Sequence, residues 1–103
     1  RFEVDIEWED FSGTVGSGKV VPFGSADSGL FWFFSAANWE VLVKVLDGCG
    51  INDHFWVFAA ATTDVKYTLR VRDRQTGLVK EYTNPLGVAS DAITDTSAFA
   101  SCP

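Results

Sequence analysis

The chain has 103 residues, is 47% hydrophobic and 15% aromatic, and carries a net charge of −6 from 14 acidic and 8 basic residues. That length fits one domain spanning residues 1–103. The composition is too apolar for a disordered chain and too acidic for a protein that grips nucleic-acid phosphate or an anionic membrane surface.

Phe2 to Glu9 alternates without a fault, with Phe2, Val4, Ile6 and Trp8 on one side and Glu3, Asp5, Glu7 and Glu9 on the other. A period of two over this length predicts a half-buried strand. Four carboxylates in a row invite a cation. Side chains two residues apart on a strand are separated by about 7 Å, too far for one small ion to gather them all. The expectation is a solvated face, neutralised in part by a basic neighbouring strand. Ser12 to Gly18 holds three glycines in seven residues and lacks the Gly-Lys-Ser/Thr ending of a phosphate loop, so it reads as a flexible connection. Lys19 to Phe23 is a short strand whose Pro22 marks a sheet edge. Gly24 to Gly29 is a turn.

Leu30 to Phe34 is apolar on both faces. It predicts a central strand, its outward members either buried or forming an aromatic patch. From Val41 to Leu46 two periods compete. Trp39, Leu42, Val43 and Leu46 match a helix, whereas three alternating valines, the lack of a capping box after Asn38 and the stop at Asp47-Gly48 favour a strand. Gly48 to Asp53 is a turn carrying Cys49. Asp47, Asn52 and Asp53 do not follow the calcium-loop order, and no metal or cofactor is expected. His54, the only histidine, has no reactive thiol or signature serine near it in sequence and reads as a polar residue opening a strand, His54 to Ala60.

Val65, Tyr67, Leu69 and Val71 form an inward row opposite Lys66, Thr68, Arg70 and Arg72. This mirrors the first strand with the opposite charge. The two charged rows should face each other in one sheet. Asp73 to Gly77 is a hairpin loop in which Gly77 supplies a left-handed position, and Leu78 to Thr83 returns. The tail from Val88 is small and polar, anchored by Ile93 and Phe99.

Cys49 and Cys102 are the only cysteines. They are not a Cys-x-x-Cys redox pair, and two thiolates are too few for a four-thiolate zinc site. One disulfide is expected, closing a loop of about 54 residues for on the order of 4 kcal/mol in the chain-entropy model. With it goes an extracellular or periplasmic setting. The chain has no methionine and no signal-peptide pattern, as expected of a mature product or an excised domain.

About seven short strands, with turn signals between them, predict an all-β fold: an antiparallel β-sandwich of immunoglobulin-like architecture, with a small barrel as the alternative. Several words of the sequence carry a family resemblance. They include Trp8 to Gly13 (Trp-Glu-Asp-Phe-Ser-Gly), Ser28 to Phe34 (Ser-Gly-Leu-Phe-Trp-Phe-Phe), Val43 to Cys49 (Val-Lys-Val-Leu-Asp-Gly-Cys), His54 to Phe58 (His-Phe-Trp-Val-Phe) and Asn84 to Gly87 (Asn-Pro-Leu-Gly). Together they resemble a small β-rich accessory domain found at the ends of secreted bacterial proteins, among them hydrolases and repeat proteins. The resemblance implies secretion, modularity and a non-enzymatic role.

Three functions follow as expectations. The first is a binding or adhesion module for a polysaccharide, a cell surface or a protein, with Trp8, Trp32, Trp39 and Trp56 as candidate binding aromatics. Trp8 and Trp39 stand near strand ends, where exposure is cheapest. The second is a structural or self-assembling subunit joined through open sheet edges. The third is a protease inhibitor presenting the Ser12 to Gly18 loop. An enzyme is not expected, because a lone histidine and scattered carboxylates do not make a nucleophile, base and orienter set.

Overall fold

The alternation at the start of the chain becomes β1 (Phe2–Glu9), which turns back at Asp10 into β2 (Val15–Ser17). There follow β3 (Lys19–Val20), β4 (Ser28–Trp32), β5 (Trp39–Gly48), a single helical turn α1 (Cys49–Asn52), β6 (His54–Ala61), β7 (Lys66–Asp73), β8 (Val79–Asn84) and β9 (Ile93–Phe99). In this computed structural model, which describes residues 1–103, the strands form two antiparallel sheets. Their orders are β2-β1-β7-β8 and β3-β4-β5-β6-β9. The expected β-sandwich is therefore present.

The core is built from the inward rows of both sheets. Ile6, Tyr67, Leu69 and Val71 meet Phe31, Phe33, Val41, Val43, Phe55, Val57 and Phe99 in one buried cluster. Val57, Leu69 and Val71 have no exposed surface. Alternation decides which aromatics enter. Phe31 and Phe33 are buried, whereas Trp32 between them points to the other face and is only half-buried.

Two strands are absent from the sequence reading. Ser12 to Gly18 is not a free connection, because Val15–Ser17 pairs with Glu7–Glu9. The Asp10 carboxylate holds the turn, accepting hydrogen bonds from the Ser12 and Thr14 backbone N–H groups and from the Ser12 hydroxyl. Gly16 belongs in this strand because a Cβ there would lie 2.4 Å from the Trp8 ring. The tail likewise contains β9, paired along β6. Its polar outward residues and a register shift hide the alternation.

The ends of the chain are tied down. Cys49 and Cys102 form the expected disulfide, with Cα atoms 5.8 Å apart. The buried Asp73 carboxylate accepts hydrogen bonds from Arg1 Nε and a guanidinium N–H at 3.0 and 2.9 Å, from the Ser101 hydroxyl at 2.6 Å and from the Gln75 backbone N–H at 3.0 Å. The Arg1 contact is the chief reason that this carboxyl is held well below the usual range. Asn84, also buried, donates its amide to the carbonyls of Val65, Pro85 and Val88, and so fixes the loop after β8.

Candidate functional site

The two outer faces of the sandwich differ in kind. On the four-stranded sheet the outward residues are charged, and β1 and β7 lie side by side with Glu3 opposite Arg72, Asp5 opposite Arg70 and Glu9 opposite Lys66. On the five-stranded sheet the outward positions of β4, β5 and β6 hold Trp32, Leu30, Leu42, Lys44, Leu46, Trp56 and Phe58, and none holds a carboxylate.

Local geometry sets the rings of that second face. The Trp56 indole lies across Gly48 of the neighbouring strand, where a Cβ would sit 2.2 Å from its ring atoms. Its Nε1–H donates to Asn52 Oδ1 at 2.8 Å, which pins the ring from α1. The Phe58 ring follows it at a centroid distance of 5.9 Å, its plane inclined by 19° to that of the indole. The Lys44 ammonium stands 5.6 Å from the Phe58 centroid, and Lys19 stands 5.7 Å from that of Trp32. These distances suit cation–π attraction.

At the far end of β5 a bulge shifts the register, so that Phe31 opposes Val41 and Trp32 opposes Trp39. The residue skipped is Glu40. It is buried, and Asn38 Nδ2 donates to its carboxylate at 2.8 Å. Burial pushes this carboxyl up despite that bond. The bulge turns Trp39 outward, 47% exposed, with its Nε1–H on the Ala36 carbonyl and the exposed Phe23 at 6.5 Å between centroids. Trp32 and Trp39 thus mark one end of the face and Trp56 the other. Leu46, the residue opposite Trp56, lies seven positions along β5 from Trp39, which at the rise of an extended strand is on the order of 20 Å.

Three of the four candidate tryptophans therefore share one surface. Trp8 does not. It packs at the end of the core against Phe33 and Phe34, at centroid distances of 6.2 and 4.8 Å, and its Nε1 is buried without a partner. Its place near a strand end leaves it half-buried on the inner side of the other sheet, with its ring against Phe33 and Phe34 and its Nε1 enclosed. Phe58, Lys44, Leu42 and Phe23 belong to the face but are missing from the sequence candidates. The alternation around Trp56 and Val43 carried the signal for the first three.

The remaining polar candidates are spent within the fold. His54 Nδ1 donates to the Asn52 carbonyl at 2.7 Å. Asn52 uses its amide on the Thr96 carbonyl, and Asp47 caps the Cys49 N–H. In the acidic row, Arg70 lies 3.5 Å from both Asp5 and Glu7. A groove of about 450 Å³ runs beside this row, lined by Glu7, Glu9 and Lys66 together with Gly16 and Trp8.

No helix is long and apolar enough to cross a membrane. Comparison with protein-family models, curated proteins and solved structures found no match, so the family resemblance seen in the sequence gains no support from them.

Proposed function

We propose that this chain is a non-catalytic binding module of a secreted or periplasmic protein, and that it holds polysaccharide on the outer face of the five-stranded sheet. The observation that carries the reading is the near-parallel Trp56–Phe58 pair, set in an apolar face without carboxylates. A sugar ring presents a flat array of C–H groups that stacks on such rings. Trp32 and Trp39, farther along, lengthen the surface to the span of several sugar units. Lys19 on the edge strand β3 and Lys44 on the central strand β5 add donors for hydroxyl groups. The disulfide fits an oxidising compartment.

Titration of tryptophan fluorescence with soluble glucans, chitin fragments and other glycans, paired with pull-down on insoluble cellulose and chitin, tests the proposal. Binding to at least one of these, lost in Trp56→Ala, is the expected result. A flat response to every glycan would remove the sugar reading.

The exposure of Leu42, Trp39 and Phe23 on the same face favours one second reading, a docking surface for another protein or a second copy of the chain. Sedimentation over a concentration range separates the two, since self-association through this face is blocked by Leu42→Lys.

A further inference from the structure

A second site lies between the sheets, on a different part of the molecule. Main-chain bonding alternates along an antiparallel strand, so Phe2, Val4, Ile6 and Trp8 turn their N–H and C=O groups toward the β2 side of β1. There Trp8 is paired with Gly16, and the Ile6 carbonyl accepts the Gly18 N–H at 2.7 Å. Beyond that point the neighbouring chain leaves for the other sheet, and Val4 and Phe2 face no strand. The facing edge, on β4, is closed: Val21 N–H donates to the Leu30 carbonyl and Ser25 N–H to that of Ser28.

Behind the open stretch is a cleft of about 390 Å³ between the sheets, lined by Phe2, Val4, Phe31, Val43, Val45 and Phe55. Gly29 lies on its wall. It occupies an inward position opposite Val43, and a Cβ there would meet nothing within 4 Å.

We infer that this edge accepts an extended peptide strand of a partner protein, with alternating apolar and basic residues. Its main chain pairs with Phe2 and Val4, and its apolar side chains enter the cleft over Gly29. The basic residues follow from charge. An added strand sets its outward side chains beside Glu3 and Asp5, as Arg72 and Arg70 stand on the other side. Asp27 and Asp47 also line the cleft, while Arg1, another lining residue, is already engaged with Asp73. A second copy offering its β8 edge fits poorly, because Glu81 is an outward residue of that strand and would meet the acidic row.

The test is a titration of the isotope-labelled full chain with a capped peptide alternating valine and lysine, and with its valine–glutamate counterpart. The expected result is shifts at Phe2 to Ile6 and at the cleft residues, slowed hydrogen exchange of the Val4 amide, and no response to the glutamate peptide. Gly29→Leu, which fills the cleft, should weaken binding roughly tenfold or more, and Gly29→Ala, too small to fill it, should not. Four outcomes would overturn the assignment. They are shifts confined to the acidic row with Val4 exchange unchanged, equal binding by Gly29→Leu, equal binding of both peptides, and a fatty acid taking the cleft while neither peptide binds.

Discussion

Arg70 stands directly opposite Asp5 across the β1–β7 pair, and its guanidinium reaches Glu7 on the same strand and Glu81 on β8. One cation thus serves three carboxylates from two neighbouring strands. These contacts are largely exposed, so salt screens them. Their value lies in register, because a slip of one residue would bring the β7 cations to the inward face and the core residues out. Arg70→Glu should lower Tm by a few degrees at low salt and by less at high salt. Adding Asp5→Lys should restore part of the loss, because a lysine at Asp5 lies directly opposite the new carboxylate. A double variant whose loss is the sum of the two single losses at low salt would show that the residues do not interact.

Asp73 makes a pH prediction. Its native carboxyl lies below the unfolded value of about 3.9, chiefly through Arg1. The stabilisation is therefore complete above that value, and is lost as pH falls through it toward the native one. Asp73→Asn should cost more than Arg70→Glu, since it strips the Arg1 guanidinium of its counter-charge. Its denaturation midpoint should also depend less steeply on pH across the acid range. Equal acid slopes in both proteins would count against this assignment.

Glu40 has the opposite sign. Burial raises its native carboxyl, so the ionised form carries a penalty above that value. Glu40→Gln keeps an acceptor for Asn38 and removes the charge. At neutral pH it should stabilise the fold by less than about 1 kcal/mol. That gain should shrink as pH falls through the raised native value toward the ordinary one. Thermal melts at two pH values suffice to check it.

The disulfide predicts an intact mass two hydrogens lighter before reduction than after it, and no alkylation of the native chain. Replacing both Cys49 and Cys102 by serine should cost on the order of 4 kcal/mol, because the closed loop is long. A loss below about 1 kcal/mol would mean that α1 and the tail hold without it.

The fold was legible where one period dominated. Phe2 to Glu9 and Val65 to Arg72 alternate cleanly, and their opposite charges foretold the pairing of β1 with β7. The strand reading of Val41 to Leu46 prevailed over a helical one because the valines repeat every second residue. β2 escaped because its glycine serves the Trp8 ring, a partner distant in sequence. β9 escaped because its half-buried side carries Asp95, which accepts from the Tyr82 hydroxyl, and a register shift breaks its period. The aromatic face was half legible: Trp32, Trp39 and Trp56 stood out as residues, but their common surface depends on strand order and on the bulge at Glu40.

The indole N–H signals of the four tryptophans test the central claim most directly. Each gives one resonance in a nitrogen–proton spectrum, assignable by single substitution to phenylalanine. On titration with a bound glycan the signals of Trp56, Trp32 and Trp39 should move together along one saturation curve, while that of Trp8, whose Nε1 is buried on the inner side of the other sheet, stays in place. Movement of Trp8 alone, or saturation of glycan binding with Trp56 unmoved, would contradict a binding surface on the five-stranded sheet.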